Sequence, residues 1–207
     1  MKDIIAKRKE AERQQRIDTI LDAARKLFLS KGYLGTSIRD IARESQLSTG
    51  AFYFYFADKD EIYGMICEEA GRVLIDHLGK VHEEGADPIE KLRRMAWSYV
   101  DFYRDYPEQF ELFALRGMPF TKLGLSEKVM RKLAAMDYEI YQIVEGTVAE
   151  GMQRGLIRKG DSTMMATELA AGILGLLFFH KRGHFDFDLR ELLEDHMEII
   201  IRGIAAD

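Results

Sequence analysis

Cysteine and proline are scarce in this sequence: among 207 residues it has one cysteine, Cys67, and three prolines. A single cysteine excludes an internal disulfide framework and a metal site built from several cysteines. The longest strongly apolar run, residues 169–179, is shorter than the roughly 20 residues that cross a membrane. The first residues are rich in Lys, Arg and Glu and contain no apolar signal region. We therefore expect a soluble, cytoplasmic protein with no membrane partner.

Motifs of common enzyme and metal sites are missing as well. The sequence contains no glycine-rich phosphate loop, no nucleophile elbow and no paired-histidine zinc-protease motif. The histidines are too scattered for a regularly spaced zinc site; they are His77, His82, His180, His184 and His196. The sequence therefore predicts no bound metal, no cofactor and no enzymatic activity.

Charge, by contrast, is unevenly distributed along the chain, whose net charge is −5. Residues 1–60 hold 12 Lys and Arg against 9 Asp and Glu, whereas residues 61–207 hold 18 against 26. A basic segment joined to an acidic remainder is expected where only the first part meets phosphates. Ordinary surface variation gives the same pattern, so charge alone leaves both explanations open.

Helical periodicity runs along the whole chain, and no stretch alternates apolar and polar residues between hairpin turns. Apolar residues at spacings of three and four between positions 17 and 28 predict a first helix that ends near residue 31. Ser37 followed by Asp40 predicts a capped second helix, and Asp161 predicts the cap of a later one. The sequence therefore predicts an all-α chain.

A very short third helix, capped by Ser48, carries the residues that point to function. Three short helices in this arrangement are what a helix-turn-helix needs, because one helix braces the backbone while the next enters the major groove. Thr49, Gly50 and Ala51 keep the start of this helix slim, which lets its backbone approach base edges. Thr49 can hydrogen-bond a base or a phosphate, and Ala51 can touch a thymine methyl group.

Aromatic and basic side chains follow directly. The phenols of Tyr53 and Tyr55 can reach phosphates, while Phe52 and Phe56 are predicted to lie in the core. The ammonium of Lys59, in the first turn of the next helix, can hold a phosphate together with backbone N–H groups. The alternative interpretation is an aromatic core strip followed by a surface lysine.

Taken in order, these residues resemble the DNA-binding domain of TetR-family transcriptional repressors. The resemblance covers about residues 14–62 and rests on Leu27-Phe28, Gly32-Tyr33, Thr36-Ser37-Ile38, Asp40-Ile41-Ala42, Ser48-Thr49-Gly50, Phe52-Tyr53, Tyr55-Phe56 and Lys59. It implies a helix-turn-helix domain over residues 14–62, preceded by a charged leader over residues 1–13 and followed by a larger helical domain over residues 63–207. The predicted DNA-binding residues are Thr36, Ser37, Arg39, Ser48, Thr49, Gly50, Ala51, Tyr53, Tyr55 and Lys59.

One position departs from the family pattern. Gln46 stands where the family commonly has a glycine that turns the chain. A residue other than glycine in a left-handed conformation costs on the order of 1 kcal/mol. Either Gln46 adopts that conformation, or the turn is built differently.

The same resemblance implies that helices five to seven surround an effector pocket and that the last two helices form a two-fold dimer. Residues 169–179 are apolar nearly all round, which favours burial in a dimer; a central helix of a monomer is the alternative. The fifth helix has large residues on more than one face, which predicts a cavity for a small apolar or aromatic effector, with plain core as the alternative. The predicted effector-binding residues are Met95, Tyr99, Phe102, Tyr103, Phe110, Phe113, Met118, Met136 and Tyr141.

Two function classes follow from the sequence. The first is a ligand-responsive DNA-binding repressor that acts as a homodimer on a near-palindromic operator. The second is an all-α module whose N-terminal helices meet a protein instead of DNA. Phosphate contacts make affinity fall steeply with salt, and an apolar protein interface is far less sensitive, so salt dependence separates the two.

Overall fold

The protein is all-α, as predicted, in a computed structural model that describes residues 2–83, 85–114, 123–183 and 186–206, with side chains from residue 4 onward. Within these ranges the β-type pairing is limited to one isolated bridge, between Ile157 and Ala205. The helices are α1 (Lys2–Lys31), α2 (Ile38–Glu44), α3 (Thr49–Phe52), α4 (Lys59–Glu83), α5 (Pro88–Asp105), α6 (Pro107–Ala114), α7 (Glu127–Gln153), α8 (Ser162–Lys181) and α9 (Leu189–Ile204). The chain divides into two compact units, Met1–Glu69 with Glu111–Leu133, and Ala70–Phe110 with Ala134–Asp207.

The first unit is built around the apolar face of α1. Ile20 and Ala24 are fully buried there, and Ile41 of α2 and Phe52 of α3 are fully buried in the same unit. Three rings complete this core: the centroid of Phe28 lies 5.6 Å from that of Tyr33 and 5.5 Å from that of Tyr63, within the range of favourable aromatic pairs. The prediction that Phe52 and Phe56 lie in the core is confirmed.

The helix α1 begins at Lys2, well before the apolar pattern that predicts it. Every described side chain from residue 4 to residue 16 is exposed, and Ile17 is the first buried one. Ion pairs one turn apart support this segment, such as Arg8 Nε to Glu12 Oε1 at 2.8 Å. Such pairs contribute about 0.2–0.5 kcal/mol each, so helix formation here does not depend on a core.

The second unit packs α5, α8 and α9 against one another. Local caps define where these helices begin. The Asp161 carboxylate accepts a hydrogen bond from the backbone N–H of Met164 at 3.0 Å, and Asp188 accepts one from Glu191 at 3.0 Å. Each cap satisfies a backbone donor that has no partner within its own helix.

The helix α8 is longer than the apolar run at residues 169–179. Residues 169–179 alone are too short for a membrane span, but the whole helix has 20 residues and is apolar enough to cross a membrane by length and composition. The core helix of a soluble protein meets the same criteria. In this protein Leu169, Ile173 and Leu177 of α8 are buried within the second unit.

A glycine on α8, Gly172, leaves room for the side chain of His196 on α9. A Cβ atom built at Gly172 would lie 2.4 Å from Nε2 of His196, which is closer than real Cβ contacts allow. That Nε2 atom is buried and has no hydrogen-bond partner among the described residues, and burial lowers the pKa of His196. The imidazole therefore occupies the space that any larger residue at position 172 would need.

The turn between α2 and α3 resolves the departure at position 46. Gln46 has φ +59° and is, among the described residues, the one non-glycine residue in the left-handed region. Its side chain is exposed, so packing does not enforce this conformation. The backbone is held instead by a hydrogen bond from the N–H of Leu47 to the carbonyl of Ala42 at 2.8 Å.

Replacing Gln46 by glycine is expected to stabilise the protein. The substitution removes a left-handed strain of about 1–2 kcal/mol and adds about 0.5–1 kcal/mol of backbone entropy cost, which leaves a gain of up to about 1.5 kcal/mol. Urea denaturation of Gln46→Gly measures it, with Gln46→Ala as the control, because alanine keeps the strain. Equal unfolding free energies for the two variants would contradict the argument.

Candidate nucleic-acid interface and effector cavity

Side-chain caps within the helix-turn-helix fix the starts of α2 and α3. Ser37 forms a capping box with Asp40: its hydroxyl accepts from the Asp40 N–H at 3.2 Å, and the Asp40 carboxylate accepts from the Ser37 N–H at 3.1 Å. The Ser37 hydroxyl also donates to the Asp40 carboxylate at 2.6 Å, and this hydrogen bond, followed by the one from the Ser37 N–H, lowers the pKa of Asp40. Ser48 caps α3 by accepting from the N–H of Ala51 at 3.1 Å. The start of α3 is thereby fixed relative to the turn.

The residues at the front of this motif are open to solvent. Thr49 and Gly50 are exposed at the start of α3, Ala51 is half-buried, and nothing lies within 4 Å of the place a Cβ would take at Gly50. Tyr53 is 54% exposed, Tyr55 is half-exposed, and both follow the buried anchor Phe52. The buried ring fixes α3 while its other face remains free for a partner.

The other predicted contact residues fall into two groups. Arg39 is exposed and has no ion-pair partner among the described residues. Thr36 is buried, and its hydroxyl donates to the carbonyls of Leu27, at 3.2 Å, and Gly32, at 2.8 Å. The structure therefore brings Arg39, Thr49, Tyr53 and Tyr55 to the surface, whereas Thr36 and the Ser37 hydroxyl are engaged within the domain.

Lys59 lies at the first turn of α4 and is tied to the loop after α1. Its ammonium donates to the carbonyl of Tyr33 at 2.7 Å and to that of Thr36 at 2.8 Å, and lies 4.0 Å from the centre of the Tyr33 ring. Partial burial lowers the pKa of Lys59, while the neighbouring Asp60 raises it. Two of the three ammonium protons are therefore used, and one is left.

Asp60 joins two further segments of the same unit. One carboxylate oxygen accepts the hydroxyl of Tyr33, and the other accepts the backbone N–H of Ser126, one residue before α7. Burial and this carboxylate raise the pKa of the Tyr33 phenol, which stays protonated and can donate. Lys59 and Asp60 thus connect the start of α4 to both the loop that precedes α2 and the start of α7.

An apolar cavity of about 20 Å³ lies inside the second unit. It holds one water-sized sphere, so a bound effector would need to widen it. Its lining comes from α5, α7, α8 and α9 and consists of Leu92, Met95, Ala96, Tyr99, Val144, Leu169, Ala170, Ile173 and Met197. Burial raises the pKa of Tyr99, so this phenol stays neutral at physiological pH.

Of the predicted effector residues, Met95 and Tyr99 line this cavity. Phe102, Tyr103 and Phe110 form an aromatic cluster in the same unit, with Tyr103 and Phe110 centroids 5.1 Å apart. Met136 is also buried in this unit. The hydroxyl of Tyr141 donates a hydrogen bond to the backbone carbonyl of Thr163 and shares another with the side-chain hydroxyl of Thr167; both threonines are on α8.

Two predicted effector residues lie elsewhere. Phe113 is buried in the first unit, and Met118 lies outside the described residues. Leu92, Ala96 and Ile173 line the cavity but are not among the residues predicted from the sequence. The signal for Leu92 and Ala96 is the spacing of three and four that they share with Tyr99 on one face of α5.

Among the described residues, the cysteine and the histidines do not come together in a catalytic or metal-binding site. Cys67 is a buried thiol whose sulfur lies 3.5 Å from the carbonyl oxygen of Leu112. His180 shares a hydrogen bond of 3.2 Å with the hydroxyl of Tyr103, and His184 lies outside the described residues. Within the described ranges, no group of three His, Cys, Asp or Glu side chains could hold a metal ion.

Comparison with known proteins gives one consistent result. Residues 20–66 match the family model described as bacterial regulatory proteins, tetR family. HbdR, an HTH-type transcriptional regulator of Aromatoleum sp. (strain CIB), is 37% identical over 95 residues, or 44% of this chain and 42% of that protein. The HTH-type transcriptional repressor NicS of Pseudomonas putida is 26% identical over 141 residues, or 68% of this chain and 65% of that protein. The chain thus aligns with less than two thirds of either relative's length.

Solved structures have the same fold. The MbdR regulator from Azoarcus sp. CIB superimposes with a TM-score of 0.75 and 26% identity, covering 91% of this chain and 98% of that one. AibR, crystallised with isovaleryl coenzyme A and operator DNA, superimposes with a TM-score of 0.73 and 19% identity, covering 89% and 97%.

Lys59→Met is expected to lower the free energy of unfolding by about 1–3 kcal/mol, because the substitution leaves two carbonyls without a charged donor. Lys26→Met is the matched control: Lys26 is 72% exposed and pairs with Glu44 at the surface, where an ion pair contributes about 0–1 kcal/mol. Urea denaturation measures both. Equal losses for the two variants would show that Lys59 does not hold the loop.

Proposed function

Because the chain belongs to the TetR family of bacterial regulatory proteins, we propose that it is a cytoplasmic, ligand-responsive transcriptional repressor without enzymatic activity. It binds a near-palindromic operator as a homodimer. The observation that carries this proposal is the exposed start of α3, with Thr49 and Gly50 in front of the buried Phe52. Base readout in the major groove requires a helix that begins with small residues and is held in a fixed position, here by its cap and by the buried Phe52.

The DNA-facing residues divide by role. Thr49, Gly50 and Ala51 meet base edges, because they are small and lie at the start of α3. Arg39, Tyr53 and Tyr55 meet phosphates. Thr36, Ser37 and Ser48 act indirectly: their side chains form hydrogen bonds with the backbone of the motif and hold it in place. Lys59 both fixes the loop after α1 and keeps one ammonium proton for a phosphate.

Exposed apolar side chains on α8 and α9 support the homodimer. Met164 is 60% exposed, Phe179 51% and Ile199 62%, and the small residues Ala171 and Gly175 lie between them on α8. Large apolar side chains on adjacent helices mark a protein interface, and small residues let two helices approach closely. Two copies of α3 would then read half-sites roughly 34–36 Å apart, or a multiple of that distance.

The effector in this proposal is small and apolar or aromatic, and it binds in the cavity beside Met95, Ala96 and Tyr99. NicS is named as a repressor, and AibR was crystallised with an acyl coenzyme A and operator DNA, which supports a ligand with an apolar part. The continuous helix α4, which runs from Lys59 to Glu83, transmits the effect of ligand binding to the DNA-binding helices. A coupling free energy of about 1–3 kcal/mol is typical for such release.

The DNA-binding part of the proposal predicts salt-sensitive binding by a dimer to duplexes selected from a random library. Arg39→Gln should weaken binding to all selected sequences alike and reduce the slope of log affinity against log salt by about 0.9 for each phosphate that the variant no longer neutralises.

Thr49→Val should change base preference instead, since it removes a hydrogen-bonding group at a base edge. Sedimentation and fluorescence anisotropy measure assembly and affinity.

The outcome separates the two function classes. A chain that stays monomeric at micromolar concentration and shows no salt-sensitive duplex binding is not such a repressor. Salt-insensitive capture of a protein partner would instead favour the all-α interaction module. A uniform loss of affinity in Thr49→Val would move this residue to the backbone-contacting group.

The effector part predicts that Ala96→Val weakens ligand response at least tenfold, because the added methyl groups fill a cavity of about 20 Å³. DNA affinity without ligand should change by no more than about threefold, since Ala96 is in the second unit. Thermal stabilisation by aromatic acids and acyl coenzyme A thioesters identifies ligands, and release of the selected duplex measures the response. Ala135→Val is the control, because Ala135 is exposed on α7.

Two results would contradict this part. If ligands that stabilise the wild-type protein stabilise Ala96→Val equally, the cavity is not their site. If a stoichiometric ligand leaves duplex affinity unchanged across a full titration, α4 does not transmit its binding.

A further inference from the structure

Residues 2–16 of α1, here called the N-terminal arm, form a helix that covers no core. At 1.5 Å per residue, this arm is about 22 Å long. Its described side chains are exposed throughout, so the first unit gains no buried apolar surface from it. The arm carries two exposed apolar residues, Ile4 and Ile5, near its start, and its residues from Lys7 onward are polar or charged except Ala11. Ion pairs one turn apart support this solvated helix.

A groove of about 660 Å³ runs between the arm and the end of the recognition segment at Phe54 and Tyr55. It is lined by Ala6, Lys9, Glu10, Glu12, Arg13, Gln15, Arg16, Thr19, Phe54 and Tyr55. Lys9, Arg13 and Arg16 are spaced by four and three residues, so they project from one face of α1. The groove therefore places three basic side chains beside the phenol of Tyr55.

Charges in the groove favour an anionic occupant. Its two glutamates are opposed by arginines: Glu12 accepts from Arg8 at 2.8 Å, and Glu10 lies 4.0 Å from Arg13. Lys9 and Arg16 have no ion-pair partner among the described residues. Unpaired cations next to a phenol donor suit a phosphate backbone better than an apolar protein surface.

We propose that the N-terminal arm is a second phosphate-binding surface, which extends the operator contact beyond the helix-turn-helix through Lys9, Arg13 and Arg16. This inference rests on the proposed function. The occupant is the backbone of the same duplex, because the groove ends at Tyr55 and is continuous with the exposed face that follows α3. Its contacts carry no base information, so the arm adds affinity without changing sequence preference.

Two lysines on opposite sides of the arm give a matched test. Lys9 lines the groove, whereas Lys7, two residues earlier, lies on the far side of the helix and is also exposed. In Lys9→Gln the salt slope on a selected duplex should fall by about 0.9 per protomer, or about 1.8 for a dimer. Between about 50 and 200 mM salt, the wild-type protein should then lose roughly tenfold more affinity than Lys9→Gln. Lys7→Gln should retain the wild-type slope.

Base preference gives a second readout. The ranking of selected duplexes should be the same for Lys9→Gln and the wild-type protein, and thermal unfolding should coincide, because Lys9 touches no core residue. Trimming the duplex outside the two half-sites should weaken the wild-type protein more than Lys9→Gln, since the variant no longer binds the outer phosphate.

The outcomes separate a failure of the proposal about the N-terminal arm from a failure of the proposed function. If the wild-type protein binds no duplex, the proposed function fails. If it binds duplex and Lys9→Gln matches Lys7→Gln in slope, the arm is not a phosphate-binding surface although the repressor function stands; this result is expected if the groove binds a protein instead. A changed base preference in Lys9→Gln would also overturn the proposal.

Discussion

The connection that Lys59 and Asp60 make at the start of α4 is the constraint on which the exposed face of the helix-turn-helix depends. One ammonium holds two carbonyls of the loop after α1, and the next carboxylate holds the Tyr33 hydroxyl and the N–H before α7. The loop that leads into α2 is therefore fixed to α4 by charge-assisted hydrogen bonds, which are stronger than neutral ones. Displacing α4 at this point would disturb the segment that positions the capping box of Ser37.

The short helix α3 is held in place by the residues around it. The helix α3 spans only Thr49–Phe52 and cannot be stable by itself. Its cap at Ser48, its buried Phe52 and the left-handed turn at Gln46 together hold it in place. Rigidity at this surface comes from the surrounding domain, so small side chains such as Thr49 and Ala51 can be presented without loss of order.

Local chemistry made much of this fold predictable from the sequence. Caps at Ser37, Ser48 and Asp161 lie where the residue pattern places them, because capping involves atoms only two or three residues apart. The start of α1 was not predictable, since residues 2–16 have no apolar periodicity and depend on ion pairs within the helix. The cavity was only partly predictable: the face of α5 that it uses depends on α8 and α9, which are distant in sequence.

The contact between Gly172 and His196 links two positions that lie 24 residues apart in the chain. While histidine occupies position 196, even alanine at position 172 would require the imidazole ring to move. A smaller residue at position 196 would leave a gap unless position 172 grew to fill it. The residues at the two positions are therefore coupled: a larger residue at position 172 needs either a displaced His196 ring or a smaller residue at position 196, so the residue at one position restricts which residues the other accepts.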